Sequence, residues 1–405
     1  MIRTLLSIAL LVWAEISPAH PTAGSYVLLQ PQEARLIRKL EPTTPATRGL
    51  LELIRERADS TMKLGPWSVT FYPSKAPSGD PHDYYSEAPY WWPDPKNPEG
   101  PYIRRDGETN PNRFVAHKRA LLDMVNSVLT LSTAWYVLDD TRYARRAAEL
   151  VRVWFVDPKT RMNPHLEYAQ AIPGRNTGRH SGIIDTRHFV WLLQGLALLR
   201  EWPGLPDSDR QVVDAWFRQF VDWLMASKHG QREKAGTNNH ATWWTAQMMA
   251  IASYLGDTAA VRAGCEHFRN HLVPTQIQPD GSCPRELART RSLHYSAMNL
   301  DAYTVICRIA RNWGEDLYSF ALPNGASVPR AIDFVLPYVL EPSKWRWKQI
   351  RPFRPQQQVF MALAGLDLQR EDLLRHYLRL PRGEYAIYPL LELVVRARLS
   401  AGSRR

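Results

Sequence analysis

Apolar residues recur at three- and four-residue spacing along most of the chain. This spacing predicts amphipathic helices, and no stretch of useful length shows the strict alternation of a β-strand. The joints between these segments are short turn-forming runs, such as Asp139-Asp140 and Gly256-Asp257. The predicted helices cover residues 32–40, 48–64, 114–137, 141–155, 186–200, 208–227, 238–255, 258–272, 292–311, 327–340, 356–366 and 372–378.

Long helices joined by both short and long loops predict an array of antiparallel helix pairs. In a ring of such pairs, the ends of the inner helices and the long loops form a cleft. Neither a strict repeat nor a linker interrupts the pattern. We therefore expect one all-α domain over residues 20–405, folded as an (α/α) toroid or incomplete barrel.

Residues 65–113 break the helical pattern. Proline, glycine, aspartate and aromatic residues crowd together there, most densely in the run from Tyr90 through Trp91 and Trp92 to Pro95. A loop of this length inside a compact domain is usually functional. We expect it to lie over the cleft, where its aromatic side chains either contact a ligand or only pack over the helices.

Charge narrows the class of partner. The 405 residues include 51 Lys and Arg against 40 Asp and Glu, a formal net charge of +11. Such a surface favours a polyanion, which can be a nucleic acid, an anionic lipid or an acidic polysaccharide. The 44% hydrophobic content excludes a disordered protein. The three cysteines are too few for a disulfide scaffold and lack the spacing of metal ligands.

The N-terminus has the pattern of a secretory signal. A charged start at Arg3 precedes an apolar run from Leu5 to Ala14, and Ser17-Pro18-Ala19 supplies a small-residue cleavage site. The apolar run is about half the length that a bilayer span requires, and no other segment is expected to reach that length. The sequence predicts a signal peptide over residues 1–19 and a secreted or periplasmic protein, for which anionic glycans are nearer partners than nucleic acid or membrane.

One candidate site lies where the helix predicted at 238–255 begins. Asn238 is placed to cap this helix, and Asn239 and His240 follow it directly. His240, Trp244 and Gln247 share one helical face by their spacing. Indole rings are platforms for sugars, and helix N-termini attract carboxylates. The alternative is a capped helix whose histidine faces the core.

A second candidate site is the run from Glu286 through Arg289 and Arg291 to Tyr295. An arginine close to a tyrosine stabilises the phenolate and lowers the pKa of the phenol. The alternative is a solvated charged face with a tyrosine at its edge. A weaker candidate contains Arg179 and His180 and ends at Asp185-Thr186, either of which can simply cap the next helix.

Together these residue types suit β-elimination in a uronic acid polymer. The proton at C5 is very weakly acidic while the neighbouring carboxylate is charged, so amide or arginine groups that neutralise the carboxylate stabilise the transition state. A base then removes the proton, and an acid protonates the leaving oxygen at C4. Tyrosine can do both when the proton and the leaving group are on one side of the ring.

The Asn238-Asn239-His240 segment, the Glu286-to-Tyr295 run and the aromatic loop together resemble the alginate lyase superfamily of polysaccharide lyases. The resemblance covers roughly residues 65–311, with the first two segments about 55 residues apart in the expected order. It implies an (α/α) toroid, secretion, and β-elimination without metal or other cofactor. It implies that Asn239 neutralises the substrate carboxylate, with an arginine, and that Tyr295 is the acid. His240 is either the base or a further neutralising group, and in the second case Tyr295 is also the base.

The catalytic arginine stays open between two residues. Some members of the superfamily place it nearly two turns before the tyrosine, where this chain has Ala288. The Glu-Leu-x-Arg run favours Arg289, whereas helical phase relative to Tyr295 favours Arg291. The residues expected to bind substrate are Tyr90, Trp91, Trp92, Arg179, His180, Trp244 and Glu286.

The sequence therefore predicts a monomeric, secreted lyase acting on a 1,4-linked polyuronate, either mannuronate-rich alginate or a glucuronan. Mannuronate and glucuronate differ only at C2, so the catalytic residues do not separate them. One alternative is a glycoside hydrolase on the same scaffold with Asp185 and Glu286 as its carboxylates. The other is a non-catalytic binder of polyanionic glycans, supported by the charge and by the basic cluster at 344–348.

Overall fold

Sixteen α-helices account for most of residues 26–402, the part of the chain that the computed structural model describes. The expected signal peptide and its cleavage site lie outside the described residues. The helices are α1 (Pro31–Arg38), α2 (Pro45–Thr61), α3 (Ala116–Leu138), α4 (Thr141–Val151), α5 (Phe189–Leu199), α6 (Asp207–Ala226), α7 (Lys228–Lys234), α8 (Asn239–Leu255), α9 (Thr258–His267), α10 (Val273–Gln276), α11 (Pro284–Leu287), α12 (Ser292–Asn312), α13 (Val328–Leu340), α14 (Val359–Asp367), α15 (Glu371–Arg379) and α16 (Ile387–Gly402).

Six helices form a closed inner ring. α3, α5, α8, α12, α14 and α16 contact one another in this order, and α16 returns to α3. Outer helices pack against them: α4 on α3, α9 on α8, α13 on α12 and α15 on α14, while α2 bridges α3 and α16. The all-α toroid of helix pairs that the sequence predicted is therefore the observed fold.

The division into inner and outer helices follows from their sequences. All eleven residues of α5 are buried, because a helix between two ring neighbours and an outer layer has no face left for water. α4 instead buries one stripe, which includes Tyr143 and Leu150, and exposes Arg142 and Arg145. One hydrophobic cluster extends from Val27 to Ala397, so chain segments far apart in sequence share the core.

Several helix boundaries differ from the prediction. The segments predicted at 141–155 and 258–272 each end in a π-helical turn, at Arg152–Val156 and Phe268–Leu272. α16 has no counterpart among the predicted helices. Its third residue is Pro389, and a proline within an apolar pattern argues against a helix. Proline is tolerated in the first turn, because the N–H groups there have no acceptor within the helix.

α3 corrects the expectation that no segment beyond the N-terminus reaches membrane-spanning length. By length and composition alone, this 23-residue helix is long and apolar enough to cross a bilayer, the one such helix within residues 26–402. However, 67% of its most apolar stretch is buried inside the protein. Its contacts with α2, α4 and α5 make it a core helix of the ring.

The long loop between α2 and α3 contains three short strands that the sequence did not predict. Strands β2 (Trp91–Trp92) and β3 (Ile103–Arg104) pair antiparallel, and β1 (Tyr85–Glu87) pairs in parallel with β4 (Tyr168–Ala171). The buried carboxylate of Asp185 fixes this arrangement, because it accepts hydrogen bonds from Ser86 (2.6 Å), Tyr84 (3.2 Å) and Lys118 (2.7 Å). The loop is thereby held against the ring.

Candidate active site

A cleft of about 830 Å³ lies between the long loop and the ends of the ring helices. The first residues of α8 and α12 reach it from the ring, and Tyr90 and Trp91 reach it from the loop. Among its lining residues within the described chain, Glu233 is the one carboxylate. The lining cations are Arg104, Lys118, Arg179, Arg187, Arg232, Arg285, Arg289 and Arg291. This excess of positive charge favours an anionic ligand.

Tyr295, on the first turn of α12, lies at the centre of the candidate chemistry. Its hydroxyl oxygen is 2.6 Å from that of Tyr90, and the guanidinium carbon of Arg289 is 3.8 Å from the centre of its ring. Burial raises the pKa of Tyr295, and Tyr90 raises it further, whereas Arg289 lowers it without prevailing. The expectation of a lowered pKa is therefore wrong, because burial outweighs the arginine.

Arg289 is held by the long loop. Its Nε and Nη2 donate to the carboxylate of Asp106, with Nη2 to Oδ1 at 2.8 Å. Asp106 also accepts from the backbone N–H and the hydroxyl of Thr290. Burial raises the pKa of Asp106, but Arg289 and Thr290 outweigh burial and hold it below its usual range. The loop therefore positions the arginine that stacks on Tyr295.

Arg291 faces the same cleft without a carboxylate partner. No Asp or Glu in residues 26–402 lies within ion-pair distance of its guanidinium, and its buried Nε has no hydrogen-bond partner there. Helical spacing from Tyr295 does not determine where either arginine lies, because α12 begins only at Ser292 and Arg291 is its N-cap residue. The structure thus places Arg289 on the tyrosine and leaves Arg291 as a free cation.

The first turn of α8 has the predicted cap. The Asn238 side chain accepts from the backbone N–H of His240 at 3.2 Å. Asn239 lies in the wall of the cleft and is fully buried, and its backbone N–H and Nδ2 donate to Glu286 at 2.6 and 2.8 Å. Burial raises the pKa of Glu286, while these hydrogen bonds oppose the rise. Glu286 thus fixes the orientation of the Asn239 amide.

His180 and His240 share one buried carboxylate. Nδ1 of His240 is 2.6 Å from Oε1 of Glu233, and Nδ1 of His180 is 2.8 Å from Oε2. Burial raises the pKa of Glu233, but the two histidines outweigh burial and lower it overall, so the group is a carboxylate. A carboxylate only accepts, so both histidines direct an Nδ1 proton at Glu233, and Nε2 is the nitrogen at which each ring can exchange a proton with a ligand.

The cleft brings together most of the residues proposed from the sequence. Tyr90, Trp91, Arg179 and His180 all line it. Nη2 of Arg179 donates to Gln170 at 2.8 Å. The guanidinium of Arg175 lies 5.1 Å from the centre of the Trp91 ring, which fixes that indole at the edge of the loop.

Three residues expected to bind substrate do not line the cleft. Trp244 is 1% exposed and packs edge-on against His267, because α8 turns that face into the core. Trp92 alternates with Trp91 along β2 and faces the other way, where its Nε1 donates to the carbonyl of Glu108. Glu286 lies behind Asn239. All three expectations are corrected by burial or strand geometry.

Sequence reasoning missed Glu233 and Asp106. Glu233 lies on α7, a seven-residue helix too short for a periodic signal, and Asp106 lies in the irregular loop. One local signal could have indicated Glu233: it lies seven residues before His240, on a helix that packs against α8. Nothing in the order of the residues indicates that Asp106 meets Arg289 across 183 positions.

All three cysteines, at 265, 283 and 307, are buried free thiols. Within residues 26–402, no group of three or more His, Cys, Asp or Glu side chains is arranged to hold a metal ion.

The sequence matches the alginate lyase family over residues 68–345. A solved structure of an alginate lyase from Bacteroides ovatus is 31% identical, with a TM-score of 0.85 over 92% of this chain and 99% of that one. Alginate lyase A1-III from Sphingomonas species A1 shares the fold at 16% identity, with a TM-score of 0.55 over 93% and 97% of the two chains. No curated protein sequence matches.

A histidine-to-alanine variant of A1-III, complexed with a tetrasaccharide, also shares the fold, at 15% identity and a TM-score of 0.58 over 92% of this chain and 95% of that one. The toroid and its strongly basic cleft, taken with these likenesses, define a polysaccharide lyase. The chain belongs to the alginate lyase family.

Proposed function

We propose that this lyase depolymerises a 1,4-linked polyuronate by metal-independent β-elimination, leaving a 4,5-unsaturated uronate at the new non-reducing end. The observation that carries the proposal is the meeting of Tyr295, His240 and unpaired arginine charge in one cleft. These are the acid, base and carboxylate-neutralising groups that the reaction requires.

The carboxylate of the substrate is neutralised by Arg291 and Asn239. Arg291 has no competing carboxylate among the described residues, and one hydrogen of the Asn239 amide remains beyond the bond to Glu286. Both lie at helix N-termini, where the backbone dipoles also favour negative charge. As charge spreads from C5 onto the carboxylate, these fixed donors stabilise the transition state without reorganising.

His240 is the base and Tyr295 is the acid. Glu233 keeps the proton of His240 on Nδ1, so Nε2 has a lone pair that can accept the C5 proton. Burial raises the pKa of Tyr295, so its hydroxyl holds a proton that it can give to the leaving oxygen at C4. Arg289, stacked on the ring, then stabilises the phenolate that forms. This assignment separates the two roles that the sequence left open.

Mannuronate-rich alginate or a glucuronan is the proposed substrate. Both sugars place the C5 proton and the C4 oxygen on the same side of the ring, so that elimination is syn. Guluronate has the opposite configuration at C5 and would need the base and the acid on opposite faces. Tyr90 and Trp91 line the cleft beside Tyr295 and are the proposed contacts to the sugar rings.

A hydrolase reaction is disfavoured by the burial of its candidate carboxylates. Asp185 is 0% exposed and pairs with Lys118 at 2.7 Å, and Glu286 is 1% exposed and holds Asn239. Neither lines the cleft, so neither can reach a glycosidic oxygen or a water molecule beside it.

Ultraviolet absorbance tests the function directly, because elimination creates a conjugated double bond and hydrolysis does not. The purified protein is incubated separately with polymannuronate, polyguluronate and glucuronan. A rise in absorbance with polymannuronate or glucuronan supports the proposal and names the substrate. New reducing ends without absorbance would instead establish hydrolysis, and the absence of both would leave a non-catalytic binder.

We also propose that the protein is exported, since its proposed substrate is an extracellular polymer. We propose in addition that it acts as a monomer. N-terminal sequencing of the protein purified from the periplasm or the medium tests export, with the mature chain expected to begin near His20. Light scattering tests the monomer.

A further inference from the structure

A segment of seventeen residues after α13, residues 342–358, contains five basic residues and no acidic residue. We call it the basic segment. Aromatic residues alternate with the charges, most closely where Trp345 and Trp347 lie between Lys344, Arg346 and Lys348. The catalytic proposal uses none of these side chains.

The first part of the basic segment is fixed beside the helix that carries Tyr295. Nε1 of Trp345 donates to the hydroxyl of Ser292 at 2.7 Å, and that hydroxyl donates to the carbonyl of Lys348 at 2.7 Å. The backbone N–H of Ile350 donates to the carbonyl of Thr290 at 2.8 Å. The segment therefore follows the entry to α12, next to the two arginines of the cleft.

The two ends of the basic segment lie at different openings. At one end, Lys344 and Arg346 line an open surface cavity of about 590 Å³ together with Phe334 and Tyr338. At the other end, the segment lines a cavity of about 250 Å³ through residues that include Arg354.

The smaller cavity adjoins the catalytic cleft, because His294, Met298 and Gln356 line both. The basic segment thus runs continuously from the wall of the cleft to an outer cavity. An extended ligand that leaves the cleft on this side meets the segment along its length.

The side chains of the segment suit an acidic sugar chain. The rings of Trp345 and Trp347, 4.5 Å apart, pack with Tyr338, and flat aromatic surfaces of this kind are platforms for sugar rings. Arg346, Lys348 and Arg351 are exposed, and no carboxylate in residues 26–402 lies within ion-pair distance of them. Unpaired exposed cations attract carboxylates without first breaking an internal ion pair.

We propose that the basic segment is an accessory binding track for the polyuronate outside the catalytic cleft. It holds the part of a long chain that extends beyond the reacting sugars and so raises the apparent affinity for polymer over short oligomers. The inference rests on the proposed function, because the ligand is the same acidic polysaccharide.

The test compares wild type with the triple variant Arg346→Gln/Lys348→Gln/Arg351→Gln on long polymer and on a tetramer of the same uronate. Exposed charge contacts are individually weak, so we expect KM for polymer to rise about fivefold at unchanged kcat. Values for the tetramer should stay unchanged. The matched control is Arg145→Gln/Lys159→Gln/Arg218→Gln, which removes the same charge from exposed residues that line neither the cleft nor the two cavities.

Equal KM values for polymer in the track and control variants would overturn the track, as would an equal loss on the tetramer. Affinity electrophoresis in gels containing polyuronate adds a readout independent of turnover. With Tyr295→Phe as background, the track variant should be retarded less than the control variant. If wild type is retarded but does not cleave the polymer, the proposed reaction is contradicted. The difference in retardation between the track and control variants would still decide whether the track binds.

Discussion

The hydroxyl oxygens of Tyr90 and Tyr295 lie 2.6 Å apart, although the residues are 205 positions apart in the chain. One is in the long loop and the other is on the first turn of α12. This contact and the Asp106–Arg289 ion pair both join the loop to Tyr295, the proposed acid. The loop therefore influences the protonation of Tyr295, since Tyr90 raises its pKa.

Removing the Tyr295 hydroxyl should abolish turnover. We expect Tyr295→Phe to lower kcat by about 10³-fold or more, because the C4 oxygen then leaves without a proton donor. Circular dichroism and polymer binding should match wild type. A Tyr295→Phe protein that retains full activity would rule out the residue as the acid.

Tyr90→Phe should have a milder and pH-dependent effect. Without Tyr90, the pKa of Tyr295 falls, because both the charge interaction and the hydrogen bond with Tyr90 raise it. Activity requires the protonated phenol and is lost as pH rises through its pKa, so the alkaline loss of kcat should begin at a lower pH than in wild type. An unchanged alkaline profile would show that the two hydroxyls are not coupled.

Glu233→Gln should lower activity by changing the tautomer of the proposed base, His240, without removing a group that is proposed to contact the substrate. A glutamine offers one acceptor and one donor, so one of His180 and His240 must move its proton from Nδ1 to Nε2. We expect kcat to fall by about 10²-fold. Nitrogen NMR of the imidazole rings should report the changed tautomer. Glu266→Gln, an exposed position, is the matched control, and equal rates in the two variants would exclude the positioning role.

The two arginines should separate in their kinetic effects. Arg291→Ala removes a cation proposed to bind the substrate carboxylate and to stabilise it in the transition state, so it should raise KM and also lower kcat. Arg289→Ala should lower kcat at nearly unchanged KM, because it removes the charge stacked on Tyr295. Asp106→Asn should resemble a weaker Arg289→Ala, since it releases the arginine without deleting it. The reverse pattern, with Arg289 affecting only KM, would contradict the assignment.

The raised pKa of Asp301 predicts how the stability of the fold depends on pH. Burial raises its pKa to about 7, against the hydrogen bond from the backbone N–H of Phe360 and the charge of Arg187. The folded protein therefore holds this proton more tightly than the unfolded chain, in which the Asp301 carboxyl titrates at about 4. The stability gained from this is complete below the unfolded pKa and is lost as pH rises through the folded pKa.

The measurement for Asp301 is the free energy of unfolding of wild type and Asp301→Asn at pH 5 and pH 8. Wild type should lose about 1 to 2 kcal/mol of unfolding free energy relative to the variant over this interval. Solvent screening of the partly exposed side chain keeps the loss this small. Since the difference between the two proteins isolates one carboxyl, a constant difference would show that Asp301 is ionised in the folded state throughout.

Local sequence was sufficient for much of the helical architecture. Helical periodicity is a property of neighbouring residues, and the cap at Asn238 needs only the residues beside it. The cluster of residues around Asn239 and Tyr295 was also found from the sequence, because their types and order suit one reaction. The local pattern failed at the boundaries of several helices and at α16, where Pro389 lies in a first turn that tolerates proline.

The ring of helices, its excess of positive charge and the residue types that suit elimination could be predicted from the sequence, because periodicity, composition and residue order are local properties of the chain. The remaining features depend on how the chain folds. It buried Trp244 and Glu286, placed Arg289 rather than Arg291 on Tyr295, and joined His180 to His240 through Glu233. Burial and long-range contacts made these choices, and neither is a property of residues adjacent in sequence.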